Sequence, residues 1–213
     1  MTSYRQGRQK YYDLFSRFYD TFIKIHARRD EQDTRHFLVE AAELSNKGGA
    51  RVLDVCCGTG SVLAAFGEAS RRTIFFGLDF SRGMLLQARK KSFSAEVNFV
   101  QADAAQLPFR DDSMDVVTCS HALYELKGEA RDKALREMAR VVKPEGVVLV
   151  MEHEVPAKRV QKLLFYARIA SMGSKDAREF ATGDLTPFKE VFSSVELSHS
   201  PSGRSRLVRC RMR

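Results

Sequence analysis

Residues 51–60 read Arg-Val-Leu-Asp-Val-Cys-Cys-Gly-Thr-Gly, a short β-branched and apolar run that passes directly into a glycine-bounded turn. The next stretch, Ser61-Val-Leu-Ala-Ala-Phe66, carries apolar residues at a helical period. A strand that enters a helix through so short a turn must return by a crossover, and crossovers join parallel neighbours in a sheet. The pattern then repeats. Thr73 to Leu78 is a second strand ending in Asp79, and Ser81 is placed to cap a helix with Met84, Leu85 and Ala88 at i, i+1 and i+4. Val97 to Val100 is a third strand running toward Asp103, Met114 to Cys119 a fourth, and Gly146 to Met151 a fifth. Ala130 to Val142 is a helix with Leu135, Met138, Val141 and Val142 on one face, and Lys143-Pro-Glu-Gly146 is expected to break it. Strands alternating with helices predict an α/β architecture with a parallel sheet covered on both faces.

The ends depart from this pattern. Residues 1–45 read as helical, with aromatics concentrated in Tyr11-Tyr-Asp-Leu-Phe-Ser-Arg-Phe-Tyr-Asp20. Val191 to Pro201 and Arg204 to Arg213 flank Pro201-Ser-Gly203 as an antiparallel hairpin. At 213 residues one domain is expected over 1–213. It divides into a helical cap (1–45), a ligand-binding core (46–155), and a basic helix or lid with a closing hairpin (156–213). No apolar run approaches the ~18–20 residues of a membrane span, and the first residues do not form a secretory signal. Cys56, Cys57, Cys119 and Cys210 have neither metal-ligand nor disulfide-framework spacing. They are expected as reduced thiols of a cytoplasmic protein, with no metal.

The net charge of +8 is unevenly placed: +2 in residues 1–50, −1 in 51–155 and +7 in 156–213. A near-neutral middle with a basic final segment disfavours nucleic acid as the main partner.

In open parallel sheets, ligands bind beyond the carboxyl ends of the strands. Those ends carry Gly58 and Gly60, Asp79, Asp103, and Ser120 with His121. The glycines permit a tight turn and close approach of a ligand, Asp79 can accept two ribose hydroxyls, and Asp103 can accept an exocyclic amine. Ser61-Val62-Leu63 follows Gly60, so the third glycine of a dinucleotide-binding loop is missing. By itself the Gly-Thr-Gly loop is also compatible with a turn that binds nothing.

Four segments occur in order: Val52-Leu-Asp-Val-Cys-Cys-Gly-Thr-Gly60, Gly77-Leu-Asp79, Asp103-Ala104 with Leu107-Pro-Phe109, and Arg140-Val-Val-Lys-Pro-Glu-Gly146. Together they resemble the class I S-adenosylmethionine-dependent methyltransferases over roughly residues 45–155. Leu53-Asp-Val-Cys-Cys-Gly-Thr-Gly60 and Asp112-Ser-Met-Asp-Val-Val117 are most similar to the ubiquinone/menaquinone C-methyltransferase group. The resemblance implies a Rossmann-like, mostly parallel seven-stranded sheet with an antiparallel C-terminal hairpin and an N-terminal helical cap. It implies S-adenosylmethionine as cofactor and S-adenosylhomocysteine (SAH) as product. The cofactor-binding set it implies is Tyr19, Asp54, Cys56, Gly58, Thr59, Gly60, Asp79, Phe80, Asp103, Ala104 and Ser120. Gly58 and Gly60 would border the methionine moiety, Asp79 the ribose, Asp103 and Ala104 the adenine, and Ser120 the sulfonium. The Tyr19-Asp20 pair resembles one in the quinone enzymes whose segment covers the cofactor. Two departures stand out: Cys56 replaces a glycine, and His121-Ala-Leu-Tyr-Glu-Leu126 stands where the quinone enzymes carry an Arg-Asn pair.

His121 and Tyr124 are the candidate catalytic residues. An imidazole near pKa ~6.5 suits proton removal at neutral pH, while bonding to local backbone at a helix start is the other reading of His121. Tyr124 and Glu125 can orient an acceptor or simply cover a helical face. Cys119 reads as a buried thiol. Val160, Leu163, Leu164 and Ala167 form an apolar stripe flanked by Lys158, Arg159, Lys162 and Arg168. That stripe is read either as peripheral membrane contact through 157–172, a lid, or a helix packed on the sheet. The function expected is methyl transfer to a small-molecule or lipid/quinone-like acceptor. The alternatives are a cofactor-binding regulatory or partner protein without transferase activity, and an RNA methyltransferase.

Overall fold

The computed structural model describes residues 3–27, 30–44, 48–126, 128–156, 159–160, 162–163, 165–166 and 183–212. Strands β1 (Arg51–Val55), β2 (Ile74–Asp79), β3 (Val97–Gln101), β4 (Met114–Ser120), β5 (Val142–His153), β6 (Ser194–His199) and β7 (Ser205–Arg211) form one sheet in the order β3-β2-β1-β4-β5-β7-β6. The first five strands are parallel, and β7 joins β5 and β6 antiparallel. This is the expected fold class. Strand order reverses at β1/β4, so the ligand crevice of a doubly wound sheet falls beyond the ends of those two strands.

Helices α1 (Ser3–Ala27) and α2 (Asp30–Ala41) precede the sheet. α3 (Ser61–Ala69), α4 (Arg82–Ala88) and α5 (Glu129–Val141) are the crossovers, and a one-turn helix α6 (Thr186–Lys189) leads to β6. Alternation along the strands divides the core in two. Val148 and Val150 of β5 share one layer with Leu135 and Met138 of α5, while Leu149 and Met151 share the other with Leu38, Leu63 and Phe66. In the second layer α3 lies very close to β2. A Cβ added at Gly77 would sit 2.7 Å from Leu63 Cδ1, so glycine is what lets that crossover pack down.

One local expectation changes. Lys143-Pro-Glu-Gly146 ends α5 as anticipated, but it lies within β5 rather than ahead of it. Met114 pairs with Val142 and Val116 with Val147, so β5 bulges outward between two adjacent pairings. Asp115 anchors the bulge by accepting Lys143 Nζ at 2.9 Å and Arg51 N–H at 2.9 Å. Gly146 is required there, because an added Cβ would lie 2.9 Å from the Asp115 carbonyl oxygen.

The basic stretch 157–172 lies largely outside the described residues. Of its described part, Val160 and Leu163 are exposed and Phe165 packs against the core. Among the described residues no helix is long and apolar enough to cross a membrane.

Candidate active site

The turn after β1 owes its shape to three positive-φ residues, Cys56 (58°), Gly58 (54°) and Gly60 (75°). It is tied to β2 by Cys57 N–H donating to the Leu78 carbonyl at 2.9 Å. Its key contact runs from Gly58 N–H to Asp79 Oδ2, 2.9 Å. Ser81 N–H donates to the other oxygen, Oδ1, also at 2.9 Å. Each Asp79 oxygen therefore takes one backbone donor and keeps a second lone pair, which suits a vicinal diol. Burial pushes the Asp79 carboxyl up to about 6, against the pull of the two N–H donors. A Cβ at Gly58 would meet nothing within 4 Å, so open space borders the turn.

Asp103, beyond β3, accepts Ala105 N–H at 2.9 Å and holds the next turn. The Leu107-Pro-Phe109 loop that follows is fastened to α5 by Arg140, which donates to the Leu107 and Phe109 carbonyls at 3.0 and 2.9 Å. Beyond β4, His121 adopts φ 52° with its N–H on the Met151 carbonyl at 2.7 Å. Its Nδ1 lies 3.0 Å from Ser120 Oγ, its Nε2 lies 3.1 Å from Ser205 Oγ of β7, and its ring centroid lies 4.2 Å from that of His153. Local backbone and side-chain partners thus orient the imidazole, and one partner comes from the far end of the chain.

Helix α1 crosses this edge and is fixed to it at four places. Asp13 Oδ1 accepts Ser81 Oγ at 2.6 Å and Gly83 N–H at 2.8 Å. Asp20 accepts Thr59 Oγ1 at 2.6 Å and pairs with Lys91 at 2.8 Å. Gln9 donates to the Phe80 carbonyl at 3.0 Å. Arg8 and Tyr12 both donate to Glu125, and burial together with that carboxylate pushes the Tyr12 phenol above its ordinary value. The helix thereby closes a cavity of about 370 Å³. Such a volume lies within the ~300–1,000 Å³ usual for small-molecule sites.

Tyr19, Cys56, Gly58, Asp79, Phe80, Asp103, Ala104, Ser120 and His121 all line this cavity. Asp54, Thr59, Gly60 and Tyr124 are not among its lining side chains. Asp54 is buried under the turn, where it accepts Thr118 Oγ1 at 2.8 Å and burial pushes it to about 7. Thr59 bonds Asp20, and Gly60 starts α3 with its would-be Cβ 3.2 Å from Phe93. Tyr124 is 5% exposed within the core, with its hydroxyl 3.4 Å from Glu125. These four residues support the site from one layer behind it.

Arg8, Tyr12, Met84 and Leu126 also line the cavity and were not anticipated. Their one sequence signal is that Arg8, Tyr12 and Tyr19 share a helical face at i, i+4 and i+11. The role of Arg140 in holding the Leu107–Phe109 loop has no local signal.

The chain matches the methyltransferase domain family over residues 52–146. It is 31% identical over 154 residues to the ubiquinone/menaquinone biosynthesis C-methyltransferase of Desulfotalea psychrophila, covering 72% of this chain and 61% of that protein. It is 32% identical over 161 residues to the demethylmenaquinone methyltransferase of Bacillus licheniformis, covering 74% and 68%. The chain thus spans 61% of the length of the first of these relatives and 68% of the second. In fold it is similar to magnesium protoporphyrin IX methyltransferase from Synechocystis with bound SAH (TM-score 0.63, 19% identity, 85% and 83% of the chains covered). It is also similar to the PH0226 protein of Pyrococcus horikoshii (TM-score 0.65, 18% identity, 92% and 98% covered). By sequence kinship over most of its length and by its sheet order, this chain belongs to the class I S-adenosylmethionine-dependent methyltransferases, in the group of the ubiquinone/menaquinone C-methyltransferases.

Proposed function

We propose that this chain transfers the methyl group of S-adenosylmethionine to a small apolar acceptor of quinone-like or lipid character. The observation that carries this reading is a single cavity with two kinds of wall. Gly58, Asp79, Asp103 and Ala104 lie at the ends of β1 to β3. Ser120, His121, Ala122 and Leu126 lie at and after the end of β4, with Glu125, Glu129 and Lys133 at the polar margin of that second wall.

In this reading Asp79 holds the ribose hydroxyls, Asp103 the adenine amine, and the Cys56–Gly60 turn the methionine portion. The cofactor supplies an electrophilic methyl group on a positively charged sulfur. The sulfur would keep the electron pair on losing that methyl group, so what remains for this chain is to position the acceptor and to take up the one proton it would release. The chain's main contribution is orientation, which can lower a barrier by ~7–11 kcal/mol in favourable cases. His121 receives the proton through the Ser120 hydroxyl, 3.0 Å from its Nδ1. Ser205 fixes the opposite ring nitrogen, and Tyr124 supports Glu125 behind the wall. Access of water is restricted on one side by α1, whose Arg8, Tyr12 and Tyr19 cover that part of the cavity. A cytoplasmic setting is the compartment that four free thiols support.

The test is incubation of the purified chain with methyl-labelled cofactor and a short-tailed prenyl naphthoquinol, with calorimetry of cofactor binding in parallel. Micromolar binding and labelled quinol are the expected results. Absence of binding by the folded chain overturns the reading. Binding without label transfer to the naphthoquinol or to any component of a cell extract overturns the transferase in favour of a cofactor-binding regulator.

A further inference from the structure

The two faces of α1 differ in kind. Its inward face carries every carboxylate between Gly7 and Thr21: Asp13 is bonded to Ser81 and Gly83, and Asp20 to Thr59 and Lys91. The outward face between the same limits holds Lys10, Tyr11, Leu14, Arg17 and Phe18, all exposed. Leu14 is 75% exposed, Phe18 66% and Tyr11 51%. At ~100° per residue these three fall within about 60° of helix arc, with Lys10 and Arg17 together along one flank. Isolated apolar side chains on a surface need no explanation, but a leucine, a phenylalanine and a tyrosine aligned on one exposed stripe do.

We propose that the outward face of α1 docks on an anionic lipid bilayer. The charge pattern selects this occupant. An apolar stripe edged by cations and free of carboxylates is the pattern of a helix lying in the plane of a membrane interface. Each cation near an anionic leaflet strengthens binding about fivefold. The same helix supplies Arg8, Tyr12 and Tyr19 to the cavity wall, so docking sets the cavity one helix thickness from the bilayer, within reach of an apolar acceptor held there. This last consequence rests on the apolar acceptor proposed above. The docking itself does not.

Sedimentation with vesicles of phosphatidylcholine alone, and of phosphatidylcholine with phosphatidylglycerol in equal parts, tests the surface directly. Binding to the mixed vesicles that exceeds binding to the neutral ones by roughly tenfold or more, and weakens with salt, supports the proposal. Leu14→Asp with Phe18→Asp is expected to abolish sedimentation. Lys10→Ala with Arg17→Ala is expected to reduce it by roughly 10- to 30-fold. All four side chains are exposed and outside the cavity, so cofactor binding by calorimetry and the circular dichroism spectrum should match wild type for both variants. Equal or absent sedimentation on the two vesicle types overturns the proposal. A wild-type dimer in sedimentation velocity that Leu14→Asp dissociates also overturns it, because the stripe then belongs to a second copy. Vesicle binding that persists in a chain lacking methyl transfer separates this proposal from the preceding one.

Discussion

At the residue scale, Asp79 is the group on which cofactor binding should depend most. Its carboxylate is 5% exposed and is met by two backbone donors. Ordering a diol requires the ionised form, because a protonated carboxyl loses acceptor capacity. With the free group raised to about 6, affinity should be level above about pH 7 and fall toward tenfold per unit below pH 6. Asp79→Asn keeps the shape but loses the charge and turns an amide NH2 toward the Gly58 or Ser81 N–H. A charged hydrogen bond contributes about 1.5–3 kcal/mol, so roughly 10- to 100-fold weaker binding is expected. Calorimetry between pH 5 and 8 checks both points: the acid limb should be absent from the variant, and an acid limb unchanged in Asp79→Asn would assign it to another group.

At the element scale, α1 belongs to the site only because it can approach α4 very closely. A Cβ at Gly83 would lie 2.6 Å from Asp13 Cα and 2.7 Å from its carbonyl oxygen, both backbone atoms that cannot turn aside. Gly83→Ala favours α4 itself by about 0.5–1 kcal/mol in helix propensity, yet it should lift α1 from the sheet edge. The expected result is loss of hydrogen-exchange protection in Ser3–Ala27, cofactor binding weakened by about tenfold or more, and little change in the exchange of β1, β4 and β5. Protection of α1 at the wild-type level would show that the two helices can separate without losing the latch. The helical character of this segment was legible from its aromatic and polar periodicity. Its position was not, since Asp13, Asp20 and Arg8 find partners 39 to 117 residues away.

At the scale of the whole molecule, β5 and β7 bury two ionisable side chains in register, Glu152 opposite Arg206. Their side chains are 2% and 4% exposed, and Glu152 Oε1 accepts the Tyr124 N–H at 3.2 Å. Burial pushes Glu152 up to about 8 from an ordinary value of 4.5. A raised folded-state pKa means that the native state holds the proton more tightly than the unfolded chain. The contribution is full below about pH 4.5 and is lost as pH rises through about 8. Between pH 6 and 8 this single group should cost roughly 2 kcal/mol of unfolding free energy. Glu152→Gln keeps an acceptor for Tyr124 and should remove most of that slope in urea titrations at the two pH values. An unaltered slope would place the pH dependence elsewhere, with buried Asp54 at about 7 as the next group.

The order of strands and helices, the glycine turn and the acidic strand ends could all be read along the chain, because each follows from local spacing: period 2, period 3.6, and a backbone that must turn tightly at Gly58 and Gly60. That Gly58, Asp79, Asp103 and Ser120 would gather along one edge was legible for the same reason, since parallel crossovers bring the ends of β1 to β4 to one edge whatever else the chain does. Only the tertiary structure decided how that edge is closed. It set α1 over the cavity through Arg8, Tyr12, Asp13 and Asp20, brought Ser205 of the last strand to His121, and moved Tyr124 and Asp54 behind the wall. Those contacts join residues far apart in sequence, and burial raises the carboxyls of Asp54, Asp79 and Glu152. Both depend on which surfaces meet after the sheet has formed, and no local pattern of residues encodes that.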